Sequence, residues 1–454
     1  MTTTVQVSIS TAVIEDNARC IVRTEFRDGV AWIYLDARKQ RHYEILGIGT
    51  RTKLHWSKDV RTYEVQELSS FPWPVRYHVT TADAWYRCPD GTRAHYTPPV
   101  LGLDPRAKVS HAVKRAAILL IVIGAIGYRR AAWLLEALFQ ISTSKSSLCR
   151  WIKEEAENLP SKERIVELLD AQKPITEAHF DEIFPRGKAG PGCVLVVRDE
   201  HGRIVVSERV EKRDEEHVRA FLERLKSLGL GLRTFYIDHC QTYRKVIPQV
   251  FENARIQLDY FHIIQNVWRH LWKYMVAFRK EVKKRAKESK TPWYKAQLLK
   301  LSRSLWKNRH LLFKSDANLS DEERVKLAEL CEAHGNVSKI RAFLSGVWHI
   351  FEDSTDAAEA RGALAALKVD HPAETSEHHR RAITFLDESF EQATTYLRHK
   401  NIKRNSLAET GMRTLRRLER EHDGFRTDDS REDFLRIYQA IKYLGWSVHH
   451  KGPP

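Results

Sequence analysis

The 454-residue sequence is short of several things, and each shortage excludes a class of protein. Its six cysteines, Cys20, Cys88, Cys149, Cys193, Cys240 and Cys331, are scattered, and no two form a CxxC pair. A zinc ribbon needs closely paired thiols and a small secreted fold needs a dense disulfide framework, so both are excluded and reduced thiols are expected. The longest apolar run, residues 116–126, is about half of what a membrane span requires, and Lys114, Arg115, Arg129 and Arg130 flank it. It reads as a buried helix, and no membrane association is expected. The opening MTTTVQVSIS lacks the basic-then-apolar pattern of a secretory leader. Internal repeats and low-complexity tracts are missing as well. A soluble, cytoplasmic protein is the expectation.

What the sequence has is positive charge. Its 75 Lys and Arg outnumber 59 Asp and Glu, for a formal net charge of +16. Such an excess favours a polyanionic partner, of which nucleic acid is the commonest. Apolar residues make up 42% and there are 12 Trp, so the chain is globular and not disordered. Its length exceeds one hydrophobic core, and two to four structural units are expected.

Residues 1–105 mix β-branched and aromatic residues in segments such as VAWIYLDA and PVRYHVTT, broken by RDG and PDG turn signals. They predict a β-rich module. Residues 106–165 switch to helical periodicity. Ser110 caps a helix predicted to run to Gly127, and YRRAAWLLEALF forms a second with Ala132, Leu135 and Leu138 on one side. After a short turn, Thr143 or Ser144 caps a third helix, with Leu148, Trp151 and Ile152 inward and Lys145, Arg150 and Lys153 outward. Helix, turn, basic helix is the helix-turn-helix pattern; an ordinary helical hairpin is the alternative.

Residues 170–268 alternate strand and helix signals in the order βββαβαβα. Three antiparallel strands followed by two parallel additions is the order of an RNase H-like core. Residues 269–400 read as a helical insertion. Between Arg269 and Lys314, 15 Lys and Arg stand against 2 acids, interleaved with Trp272, Tyr274, Trp293, Tyr294 and Trp306. A solvated helical face accounts for a charge run, but cations beside stacking aromatics also suit a DNA backbone and splayed bases. Residues 401–454 supply the last helices of the core. The fold class expected is multidomain α/β.

Cutting and joining phosphodiesters calls for carboxylates that hold divalent ions on a rigid frame. Asp181 lies inside the first strand, EAHFDEIF, where alternation sends one of Asp181 and Glu182 outward. Asp238 ends the fourth strand at its C-terminal edge, where open sheets place their sites, and a turn or cap role is equally open. Asp259 stands near the end of the next strand, read as ARIQLDYFH. First and fourth strands are neighbours in such a sheet, which would bring Asp181 and Asp238 together. Glu409 sits near a helix start, where Ser406 and Glu409 also fit a capping box. Along that helix Glu409, Arg413, Arg416 and Arg420 gather opposite a stripe of Leu407, Gly411, Leu415 and Leu418. The arginines either pair with the glutamate or line a DNA groove.

Together HFDEIF, YIDHCQTYRKVIPQVFENARIQLDYFHIIQNVW and NSLAETGMRTLRRLEREHDGF resemble the DDE transposases of bacterial insertion sequences. The resemblance is to the group with an N-terminal zinc ribbon, a helix-turn-helix and a helical insertion before the last acid. It covers residues 110–445. Asp238 and Tyr243 match a D-x-x-x-x-Y segment. Asp259, Phe261 and His262 match D-x-F-H. Asn405, Glu409, Gly424 and Phe425 match N-x-x-x-E with its following G-F. The resemblance implies Asp181, Asp238 and Glu409 as a catalytic, metal-binding triad, with Asp259 and His262 as accessory residues and Asp259 as the rival third ligand; a structural histidine at a strand end is the other reading of His262. It further implies Mg²⁺ or Mn²⁺, and double-stranded DNA as partner, both terminal inverted repeats and target. A homo-oligomer is implied because two ends must be brought together, and so is a nucleoid-associated, cytoplasmic location in a bacterium. Lys145, Arg150, Lys153, Arg413, Arg416 and Arg420 are the DNA-binding candidates. Two features depart from the group: the zinc-ribbon cysteines are missing, and Thr410 follows Glu409 where glycine is common. A structure-selective nuclease and a catalytically inactive DNA-binding protein on the same fold are the rival readings.

Overall fold

The computed structural model describes residues 17–40, 42–46, 52–68, 74–100, 103, 107–184, 192–372, 376–407, 413, 415–417, 420, 421, 425 and 427–446. The chain divides into two compact units, Met1–Leu168 with Pro185–Gly190 and Thr414–Pro454, and Leu169–Phe184 with Pro191–Arg413.

The first unit opens β-rich. Strands β1 (Ile21–Arg27) and β2 (Val30–Asp36) form an antiparallel hairpin. Asp28 and Gly29 join them with φ of 54° and 74°, the positive pair that a tight two-residue hairpin turn demands. A small sheet of β3 (His55–Trp56), β6 (Ala84–Arg87) and β7 (Arg93–Tyr96) accompanies a larger one in the order β1-β2-β5-β4, where β4 is Arg61–Glu67 and β5 is Val75–Thr81. Strand β5 alternates, burying Val75, Tyr77 and Val79 against Ile33, Leu35 and Val65.

Three helices follow, at His111–Val122, Tyr128–Phe139 and Lys145–Glu157. Ser110 caps the first, accepting the Val113 N–H at 3.3 Å. That helix stops short of the expected Gly127: the N–H groups of Ile123 and Gly124 both turn back to the Leu119 carbonyl, and Ala125 adopts φ of 52°, a left-handed residue that ends the helix. In the second helix Ala131 and Leu135 are buried, while Leu138, expected inward, is 66% exposed. The stripe follows i and i+4, which puts Leu138 past its edge. The third helix is capped by Ser144 and buries Leu148, Trp151 and Ile152 as its periodicity predicts. Helix Asp428–Leu444 packs on it, with Arg436 donating to the Ala156 carbonyl at 2.6 Å.

The second unit is built on one five-stranded sheet. Strands β8 (Glu177–Ile183), β9 (Cys193–Arg198) and β10 (Ile204–Val210) are antiparallel, and β11 (Thr234–Ile237) and β12 (Arg255–Leu258) run parallel to β8. The spatial order is β10-β9-β8-β11-β12. Helices Glu215–Ser227 and Gln241–Val250 make the crossovers, as two parallel additions require. The element order is the expected βββαβαβα. One boundary differs. The segment YFH, read as strand, opens the helix Tyr260–Glu288, because the Asp259 side chain accepts the Phe261 N–H at 3.0 Å and caps it. From there the unit is helical, through Pro292–Lys307, Asp321–Glu332, Gly335–Trp348, Ala357–Asp370 and Glu377–Ala393. Ser320 and Glu323 form a complete capping box. All six cysteines are free thiols. Among the described residues no helix is long and apolar enough to cross a membrane.

Candidate active site

Strand β11 lies beside β8 in parallel register, with Tyr236 paired to His179. Carried two residues further, that register brings Asp238 level with Asp181. Asp181, Asp238, Asp259 and His262 line one small pocket, with Phe180, Ile237 and Ser406.

Each acid arrives there for a local reason. Asp238 follows four buried strand residues, Thr234–Ile237, and its Oδ1 accepts the Cys240 N–H at 3.1 Å as the chain turns into the next helix. Burial raises its carboxyl pKa from the ordinary aspartate value, against the pull of His262 and Arg213. On β8 the Oδ1 of Asp181 accepts the Glu182 N–H at 2.7 Å. Alternation sends Asp181 to the pocket and Glu182 into the interior, which answers the choice the sequence left open. Asp259 is the N-cap of the long helix and His262 stands in its first turn, not at a strand end.

Glu182 entered the sequence reading only as the alternative to Asp181 in strand alternation, with no role of its own. It is buried, receives the Tyr243 hydroxyl at 2.8 Å and pairs with Arg213. Burial first, then the charge of Asp238, pushes its carboxyl up to about 7. The Asp-Glu pair inside an apolar strand was the available signal: one of the two acids had to be buried, and a buried carboxyl needs partners. Tyr243, matched above only as part of a motif, supplies one.

A second omission concerns the approach to Glu409. The Tyr236 hydroxyl accepts the Lys403 N–H at 2.9 Å, the His179 Nδ1 accepts the Leu407 N–H at 3.0 Å, and Arg198 donates to the Leu407 carbonyl. Side chains of β11, β8 and β9 thus tie residues 403–407 to the sheet, and Ser406 reaches the pocket. Glu409, Thr410, Gly411, Leu418 and Gly424 lie outside the described residues, and so does a capping box between Ser406 and Glu409. Among the described residues no three His, Cys, Asp or Glu side chains form a group able to hold a metal ion. Asp181 and Asp238 offer hard carboxylate oxygens from adjacent strands, with Asp259 in the same pocket, and such donors suit a hard divalent cation such as Mg²⁺.

The cationic candidates are exposed. Lys145, Arg150 and Lys153 project from Lys145–Glu157, where Arg150 lies 3.5 Å from Glu154 and Lys153 lies 4.0 Å from Glu157. Exposed pairs of this kind are weak and leave the cations available to a phosphate. Arg413, Arg416 and Arg420 are in helical backbone and exposed.

A family model described as a transposase, DDE_Tnp_ISL3, matches residues 178–430. That span is more than half of the chain and takes in Asp181, Asp238, Asp259, His262 and Glu409. No curated protein matches. Among solved structures, a chain of the "Drosophila P element transposase strand transfer complex" is similar at 11% identity over 75% of this chain and 93% of that one, with a TM-score of 0.37. On the family match, the chain belongs to the DDE_Tnp_ISL3 family of transposases.

Proposed function

We propose that this transposase binds the ends of a mobile element, cuts DNA there and joins the freed 3′-OH to target DNA, with Asp181, Asp238 and Glu409 as the residues that hold Mg²⁺ or Mn²⁺. The observation that carries the reading is the meeting of Asp181 and Asp238 in one pocket, from neighbouring parallel strands. The strand order β10-β9-β8-β11-β12 with its two helical crossovers supports an RNase H-like core. When bound, the ions supply Lewis acidity, which activates water or a 3′-OH and offsets charge on the phosphate.

The chain's own residues have narrower tasks. The sheet holds Asp181 and Asp238 still, and the tie of residues 403–407 delivers the chain toward Glu409. His262, which shares the pocket with Asp238, is placed to meet an oxygen of the scissile strand. Tyr128–Phe139, the turn after it and Lys145–Glu157 act as a helix-turn-helix, with Lys145, Arg150 and Lys153 on DNA phosphates. Arg413, Arg416 and Arg420 line the DNA path. Synapsis of two ends makes the working form a homo-oligomer.

The test is cleavage and strand transfer on labelled DNA that carries the element's ends, with Mg²⁺ or Mn²⁺. Asp181→Ala, Asp238→Ala and Glu409→Ala are expected to bind DNA and lose all chemistry, while Asp259→Ala keeps some. Activity in Glu409→Ala with none in Asp259→Ala would move the third ligand to Asp259. Binding without cutting by the wild type with either metal would leave a DNA-binding protein and sink the catalytic reading.

A further inference from the structure

A cavity of about 750 Å³ opens in the helical part of the second unit. Trp268, Arg269 and Trp272 of the helix Tyr260–Glu288 line one side, and Arg309, Phe313 and Lys314 line the other. The volume lies in the range of small-ligand sites.

Its chemistry is not that of a packing defect. Trp268 and Trp272 approach Phe313 with ring centroids 6.0 Å and 5.7 Å apart, and a gap among such rings alone would be dry and apolar. Here cations join the rings and no carboxylate is among the lining residues. The indole nitrogen of Trp268 is buried and has no hydrogen-bond partner among the described residues. A buried Trp N–H normally finds one. Lys314 is already paired with Glu323 at 2.6 Å; Arg269 donates one N–H to Asn266 and Arg309 one to the Trp306 carbonyl, and each guanidinium carries further N–H groups for an incoming anion.

Position adds a second argument. His262 of the catalytic pocket and Gln265, Trp268 or Arg269, and Trp272 of this cavity follow one another at i, i+3, i+6 or i+7 and i+10, one stripe of one helix. Six residues separate His262 from Trp268, about 9 Å along the axis. That is roughly two or three nucleotides of a DNA strand.

We infer that the cavity takes one unpaired nucleotide of the DNA end. The base stacks against Trp268, Trp272 and Phe313, the Trp268 N–H donates to an edge of the base, and Arg269 and Arg309 meet the flanking phosphates. The inference rests on the proposed cutting of DNA at Asp181 and Asp238. The base arrives as part of a strand and not as a free nucleotide, since cavity and catalytic pocket share one helix.

The experiment measures binding of the full chain without divalent metal to fluorescein-labelled duplexes of the element's end. The duplexes are blunt, carry a three-nucleotide overhang, or carry the same overhang with abasic positions. The overhang is expected to tighten binding, and removal of the bases to weaken it by roughly 5- to 150-fold, as for one stacked base. Trp268→Ala and Trp272→Ala lose the same factor on the overhang and nothing on the abasic one. Trp268→Phe, which keeps a ring, loses less. Binding of blunt duplex within twofold of wild type shows that each variant is folded. Millimolar dAMP is expected to leave overhang binding unchanged. Equal affinity for base-bearing and abasic overhangs, or an equal loss in Trp268→Ala on both, overturns the inference, and so does displacement of the overhang by dAMP. Metal-dependent cutting by a wild type indifferent to the overhang would remove this inference alone. Overhang preference without any cutting would remove the catalytic reading and leave the cavity as a DNA-binding site.

Discussion

The Nδ1 of His179 lies 3.0 Å from the backbone nitrogen of Leu407, across 228 positions of the chain. His179 is fully buried and stacked on Tyr236, centroids 4.2 Å apart with the ring planes nearly parallel. Because Nδ1 accepts, the ring proton sits on Nε2, 3.4 Å from the Glu177 carboxylate. His179→Phe keeps the stack and removes the acceptor. We expect a loss of about 1–2 kcal/mol in stability, and a fall in cleavage of about tenfold or more with DNA affinity unchanged, since Leu407 leads directly to Glu409. Thermal melts and cleavage of labelled ends check this. Unchanged cleavage in a variant with lowered stability would make His179 a packing residue only.

Asp199 and Arg203 close the β9–β10 hairpin as a buried pair, Oδ2 to Nε at 2.5 Å, while Arg203 also donates to the carbonyls of Leu169 and Lys173. Asp199→Ala strands a buried guanidinium. The expected cost is roughly 3–5 kcal/mol, read from urea unfolding. A loss under about 1 kcal/mol, the range of an exposed pair, would mean that water reaches Arg203 in the variant.

His379 is fully buried, and its Nδ1 lies 2.6 Å from the Ser376 hydroxyl. Burial first, then the neighbouring His371 and His378, lowers its pKa to about 4. The folded pKa lies below the ordinary one, so between the two the unfolded chain binds the extra proton and stability rises with pH. The contribution is fully present above about pH 6.5 and is lost as pH falls toward 4, with a limit of order 3 kcal/mol. Urea midpoints between pH 4 and 7 should therefore be flatter for His379→Gln than for wild type. Identical slopes would exclude His379 as the source.

Lys145, Arg150 and Lys153 are assigned to DNA phosphates. The triple alanine variant should lower the slope of log affinity against log salt by up to about 0.9 for each phosphate that no longer meets a cation. Titrations at several salt concentrations measure it. An unchanged slope would remove Lys145–Glu157 from the DNA interface.

Much of the fold was legible. The order βββαβαβα, the Asp28–Gly29 turn, the caps at Ser110 and Ser144 and the inward face of Leu148, Trp151 and Ile152 all arise from residues within a few positions of one another. The misses had local causes that periodicity does not register. The first helix ended at Val122 because Ala125 turned left-handed, and β12 ended at Leu258 because Asp259 spent an oxygen on capping the next helix.

Of the candidate site, the sequence by itself determined which carboxylates stand at strand ends, how basic the chain is and where aromatics mingle with cations. Propensity, alternation and capping act over one to four residues, so they leave a mark in the sequence. Only the tertiary structure decided that β11 lies beside β8, that Asp181 and not Glu182 lines the pocket with Asp238, that Glu182 is satisfied by Tyr243 and Arg213, and that His179 holds Leu407. Those choices come from strand order and from the meeting of residues tens to hundreds of positions apart. Such meetings follow no period, and they exist only once the sheet has closed the intervening chain.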